Sequence, residues 1–326
     1  MMSVPSTPIT PITPITPIAP SYVILSDGKQ CQAHYTHYYD DGNIAFLVED
    51  YVFRLFRSVL ARRSEVLKDL FALPQPQSRD EPTLDGLSII RLKDSMIDFA
   101  AFLDFIHPPS SPPRWATVPR WRALFGALRI ARKYGVDDVD IQALKGLEGV
   151  LPTTLDTFER STVYATLNAT VEVVNLSREL GLERFLPLAF YRLATLSAQN
   201  ISSSQTMAVL CRLSKEDLVR LHVGRAALQD ALVNQAYYMP DMNPHAWRCP
   251  SNRHCPRGGP TAVPLASKKS WMTLLQFPLE ELRLRIRNPS IYGDFCDDCN
   301  DHLRERVRQL QATLFANLLL YFKLSD

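Results

Sequence analysis

Glycine is scarce in this sequence, with 12 residues across 326 positions, and none cluster where a strand would run into a helix. A phosphate-cradling loop needs such a cluster, and neither G-x-x-x-x-G-K-[ST] nor G-x-G-x-x-G occurs. H-E-x-x-H and G-x-S-x-G are missing as well, which removes the zincin and hydrolase-elbow chemistries. No apolar run approaches the ~20 residues that a membrane-spanning helix requires. The N-terminus has no basic start followed by an apolar core, so no secretory leader is expected. Six cysteines are too few for a disulfide-dense scaffold of this length. A net charge of +2 gives no overall bias towards nucleic acid or anionic lipid. Together these point to a soluble, non-enzymatic protein of the cytoplasm or nucleus with reduced thiols.

What is present begins with proline. Pro5, Pro8, Pro11, Pro14, Pro17 and Pro20 recur every third residue, the period of a polyproline II helix. Proline also removes the donors that helix and sheet need. Residues 1–21 therefore read as a disordered tail. Thr7, Thr10, Thr13 and Thr16 each precede a proline, the arrangement that proline-directed phosphorylation uses.

The segment Ile44 to Phe71, IAFLVEDYVFRLFRSVLARRSEVLKDLF, contains no histidine, cysteine or glycine. Ile44–Val48 and Tyr51–Phe56 read as two strands joined by a tight turn at Glu49-Asp50. Ser64 can cap a short helix whose Val66, Leu67, Leu70 and Phe71 fall on one stripe. A third strand is predicted over Ser88–Leu92, and a helix with Phe99, Phe102, Leu103 and Ile106 inward, opened by a Ser95/Asp98 capping box. A further helix, Trp121 to Tyr134, ends at Gly135, a C-cap glycine. Val139, Leu144 and Leu147 mark one more.

Three stretches in this order, DDGNIAFLVEDYVFRLFRSVLARRSEVLKDLF, IIRLKDSMIDFAAFLDFI and LFGALRIARKYGVDDVDIQAL, resemble a BTB/POZ domain. The family commonly places a histidine just before the Arg-Ser-Val-Leu element, where this chain has Phe56. The resemblance implies an α+β fold over residues 22–150, with a small three-stranded sheet flanked by helices. It also implies a protein partner, most directly a second copy of the chain, met by the first helix around Arg57, Val59, Leu60 and Arg63. Members of the family recruit ubiquitin-ligase scaffolds or assemble transcriptional complexes, so an adaptor role follows from the resemblance.

After Pro152 the spacing stays helical through residue 240, with Gly181 and Gly224 read as breaks. SRELGLERFLPLAFYRLATLS resembles the helical extension of many fungal BTB proteins. The last part, residues 241–326, holds RCPSNRHCPRG and YGDFCDDCNDH. Cys296 and Cys299 form a C-x-x-C, which lets two thiolates converge on one tetrahedral zinc. Cys249 and Cys255 would complete a closed structural site, with His254 or His302 able to replace one thiolate. The other reading is four separate thiols, with Asp297 and Asp298 capping a helix. Structural zinc is thus the one cofactor the sequence offers.

A DNA-binding protein built on that zinc site is the rival functional reading. Residues 245–326 hold twelve Lys/Arg against eight Asp/Glu, but Asp297 and Asp298 lie inside the C-x-x-C and would repel phosphate. Nucleic acid is accordingly the weaker expectation. His34 and His37, in HYTHYY, read as part of a packed linker rather than a metal pair. Cys211 reads as a thiol on the apolar side of a helix. Leu303, Val307, Leu310, Leu314 and Leu318 repeat at three and four residues and predict a terminal helix with one core face.

Overall fold

A computed structural model describes residues 22–73, 82–108, 118–161, 163–199, 203–236, 268–287 and 296–324. The proline tail lies outside these residues. The chain is α+β and divides into two compact units, 1–144 and 145–326.

The first unit is built on a six-stranded sheet rather than the three strands expected. In chain order the strands are β1 (Tyr22–Ile24), β2 (Gln30–Tyr38), β3 (Ile44–Val48), β4 (Tyr51–Leu55), β5 (Thr83–Leu84) and β6 (Leu87–Leu92). Across the sheet they lie β1-β2-β4-β3-β6-β5. β3 and β4 form the expected hairpin, turned at Glu49 with φ of 54°. β3 pairs in parallel with β6, and β2 in parallel with β4. All five residues of β3 are buried, as an unbroken apolar run covered on both faces demands. Three strands were missed in the sequence, β1, β5 and, the longest of them, β2. The inward positions of β2 include His34 and His37, both fully buried, and a reading that follows only apolar side chains passes over them.

Five helices belong to or begin in this unit: α1 (Arg57–Arg63), α2 (Glu65–Ala72), α3 (Met96–Ile106), α4 (Arg120–Tyr134) and α5 (Asp137–Val150). Ser64 performs the capping expected of it. Its Oγ accepts the Leu67 N–H at 2.9 Å and donates to the Tyr134 carbonyl at 2.5 Å, tying α2 to the end of α4. Gly135 ends α4 in the left-handed region, φ 63°. The Ser95/Asp98 capping box does not form: Ser95 occupies the N-cap without a side-chain bond. Asp98 is instead drawn to Arg129 of α4 in an ion pair. Gly126 makes that approach feasible, because a Cβ there would run into Asp98.

The second unit is all helical after α5: α6 (Leu155–Arg160), α7 (Leu167–Glu179), a 3₁₀ turn (Glu183–Phe185), α8 (Leu186–Gln199), α9 (Ser204–Leu210), α10 (Lys215–Ala236), α11 (Lys268–Gln276), α12 (Pro278–Arg287), α13 (Asp297–Ala316) and α14 (Leu318–Tyr321). Gly181 breaks the chain as expected, at φ 64°. Gly224 does not, and α10 runs straight through it. A Cβ at 224 would collide with the Phe322 ring, so this glycine is a seat for an aromatic side chain from the C-terminal end. The five residues predicted for the face of the terminal helix, Leu303, Val307, Leu310, Leu314 and Leu318, are all buried, but the helix ends at Ala316 and Leu318 opens α14. Gln311 on α13 donates from its buried amide to the Leu279 carbonyl of α12 at 2.8 Å. Asp217, also buried, is met by Arg178 at 3.0 Å and Arg220 at 3.2 Å. Cys211 is exposed at the end of α9, not on an apolar face.

Candidate protein-interaction surface

The four residues expected to meet a partner occupy one short helix, α1, but they do different things. Leu60 is 1% exposed and packs into the core, so it is not a surface residue. The helix repeat that places Val59 half in solvent turns its neighbour inward. Arg57 is a clasp. Its backbone N–H donates to Asn43 Oδ1 at 2.8 Å, and Nη2 donates to the Phe71 carbonyl at 2.5 Å. Its guanidinium also lies 5.6 Å from the centre of the Phe71 ring. Arg63 is exposed and paired with Asp138 at 2.6 Å. Beside Arg57 a groove of about 200 Å³ opens between Ile44, Phe71, Leu87 and Ile90. α1 thus presents Arg57, Ser58, Arg62 and Arg63 with half-buried Val59 among them, and the groove opens beside Arg57.

Sequence reasoning overlooked a second surface, the end of the sheet. β1 pairs with β2 on one side; just past its end the Ser26 N–H donates to the Thr83 carbonyl of β5 at 2.9 Å, and among the described residues no strand pairs with the outer edge of Tyr22–Ile24 itself. Tyr22 and Ile24 are 54% and 71% exposed. As alternate residues of one strand they share a face. An open strand edge beside exposed apolar side chains is a template for pairing with another chain. The signal available in the sequence was Tyr22-Val23-Ile24-Leu25, a short β-type run directly after the proline tail.

Beneath that sheet lies a polar cluster. His34 stacks on Phe53 with ring centres 4.4 Å apart and on His37 at 5.3 Å. His37 Nε2 meets Asp104 Oδ1 at 2.8 Å. Burial, reinforced by the neighbouring His37, lowers the His34 pKa to about 3, so the ring is neutral. His107 is shifted the same way, chiefly by burial and further by His37 and Arg63. His34 and His37 belong to a packed strand, not to a linker, and His107 is the C-cap residue of α3.

Of the proposed metal ligands, Cys249 and Cys255 lie outside the described residues. Cys296 is the N-cap residue of α13, and Cys299 falls in its first turn with Asp297 and Asp298. Among the described residues no group of three or more His, Cys, Asp or Glu is arranged to hold a metal. Nor, among them, is any helix long and apolar enough to cross a membrane.

No protein-family model, curated protein or solved structure matches the chain.

Proposed function

We propose that the chain is a non-enzymatic interaction module of the BTB/POZ kind, which associates with a second copy of itself through its first unit. The observation that carries this is the open edge of β1 with Tyr22 and Ile24 exposed beside it. Strand addition at such an edge draws affinity from backbone hydrogen bonds and specificity from alternate side chains. The succession of hairpin, helix pair, strand and helix around β3 and β6 supports the same reading. On it, the partner of the assembled dimer is a protein, of the ubiquitin-ligase scaffold or transcriptional class, in the cytoplasm or nucleus. A structural zinc held by Cys249, Cys255, Cys296 and Cys299 is part of the proposal for the second unit.

Multi-angle light scattering on the full chain tests self-association. The expected mass is twice the 37.0 kDa of one chain. Ile24→Lys, which puts a charge on the open edge, is expected to return it to one chain mass. A wild-type protein that stays at single-chain mass at tens of micromolar overturns the proposal.

A further inference from the structure

α10 is packed along one side and apolar along the other as well. Leu221, Gly224, Leu228 and Leu232 are buried on the side where the helix meets α8, α13 and α14. On the opposite side Val219, Val223 and Val233 are 62%, 37% and 45% exposed, with His222, Ala226 and Asp230 exposed among them. The helix repeat puts Val219, Ala226 and Val233 on one line, with His222 to one side of it and Val223 and Asp230 to the other. A surface helix ordinarily turns a polar face to water. Valine adds nothing to helix propensity that alanine or leucine would not. Three valines on one outer face therefore call for a covering surface.

The face is its own complement. Val219 and Val233 stand seven residues either side of Ala226, and His222 and Asp230 stand four either side. In an antiparallel pair of α10 helices with Ala226 on the two-fold axis, residues equally far from 226 share a level. Val219 then meets Val233 of the second copy, and the His222 imidazole N–H donates to its Asp230 carboxylate; each contact occurs twice. The small side chain of Ala226 lets the helix axes come within about 8 Å at the centre. Parallel pairing would set Asp230 against Asp230, a like-charge contact. Neither His222 nor Asp230 has a hydrogen bond or ion pair among the described residues. We propose that the outer face of α10 is a two-fold contact with a second copy of the chain, separate from the β1 edge. The paired stretch is about 21 Å long, and one helix face of that length covers less than the ~800 Å² per partner of a standard interface. The contact is therefore weak, with a Kd on the order of hundreds of micromolar.

Sedimentation equilibrium on the full-length Ile24→Lys chain, whose β1 edge is blocked, isolates this contact. Its mass should stay near the 37.0 kDa of one chain at about 20 µM and climb towards two chains at about 500 µM. A wild-type chain that does not pair through β1 leaves this measurement intact, so the two readings fail separately. Asp230→Lys sets a lysine against His222, and His222→Glu sets a glutamate against Asp230. Both sites are exposed, so the circular dichroism spectrum should not change, and each variant should weaken association by about tenfold or more. In the double variant His222→Glu/Asp230→Lys the facing charges are opposite again, and association should return. Ala226→Cys in the wild-type chain puts a thiol on the axis. Mild oxidation should then join two copies through position 226, as read by peptide mass mapping, and this decides the matter if Ile24→Lys does not fold. A chain that stays at single mass at the higher concentration and forms no such link overturns the proposal. So do single variants that associate as their parent does, or a double variant that does not recover.

Discussion

The backbone N–H of His37 donates to Nδ1 of His34 at 3.1 Å, inside a strand where both residues are fully buried. That bond requires Nδ1 of His34 to carry a lone pair. A protonated His34 would point a hydrogen at another hydrogen, so the fold accepts only the neutral ring. The same ring stacks between His37 and Phe53, where an imidazolium would lose its hydration without gaining a partner.

Acid sensitivity of the first unit follows, with its sign. The His34 pKa is about 3 in the folded chain against 6.5 for the free side chain. Between those values the unfolded chain binds a proton that the folded chain refuses. Stability is therefore complete above the unfolded pKa and declines as pH falls towards the folded one, by about 2–3 kcal/mol on reaching about pH 4.5. His34→Phe keeps the stacking on Phe53 but leaves the His37 N–H without its acceptor, at a neutral-pH cost of about 1–2 kcal/mol. Urea midpoints measured from neutral to acid should fall steeply for the wild type and much less for the variant, with His107 leaving a residual slope. Equal slopes in the two proteins would show that His34 is not the group responsible.

Leu60 and Val59 are adjacent on α1 and should behave oppositely. Leu60→Ala opens a cavity in the core and should cost about 2–5 kcal/mol of stability. Val59→Ala, at a half-buried site, should cost less than about 1 kcal/mol and act instead on the association constant. Denaturant titration and light scattering on each variant separate these effects. A Leu60→Ala chain of wild-type stability would refute its place in the core.

Gly224 reverses an ordinary rule. Alanine in place of a helical glycine usually stabilises by about 0.5–1 kcal/mol. Here the added methyl meets the Phe322 ring, which is fully buried and packed on Phe190 at 5.6 Å between ring centres. Gly224→Ala should therefore lower the melting temperature. Combining it with Phe322→Leu should cost less than the two single changes added together, because they share one contact. Strict additivity would argue that the ring does not lean on Gly224.

These cases also separate what the sequence disclosed from what it concealed. The β3–β4 hairpin, the Ser64 cap and the core face of α13 were legible because each rests on local periodicity or a local hydrogen bond. β2 was hidden because its inward side chains are small or polar: Cys31 and Ala33 are buried, Cys31 near Leu47 and Val52, and the two histidines pack without any apolar alternation. Gly224 was misread because a glycine that makes room and a glycine that ends a helix look identical until the distant aromatic is placed. Leu60 looked like interface because a hydrophobic residue on a short helix does not announce which way it faces. The buried contact of Tyr191 with Glu280 had no signal at all. Tyr191 and Glu280 stand 89 residues apart and meet only in the folded unit.

The zinc proposal can be tested without disturbing the helix that carries two of its ligands. Cys296 sits at the N-cap of α13, where it makes no side-chain capping bond. Serine is among the preferred residues at that position, so Cys296→Ser should support α13 at least as well while removing one thiolate. The helix is anchored in any case by the burial of Leu303, Val307, Leu310 and Leu314. Elemental analysis of the full chain should then find close to one zinc per wild-type molecule and far less in Cys296→Ser, with the helical circular dichroism preserved in both. Acid should release the metal as the thiolates take up protons, since only the deprotonated sulfur is a ligand. A wild-type protein purified without zinc, and unable to take it up at neutral pH, would leave the cysteines as ordinary thiols and the acidic first turn, Asp297 and Asp298, as a favourable partner for the positive end of the helix dipole.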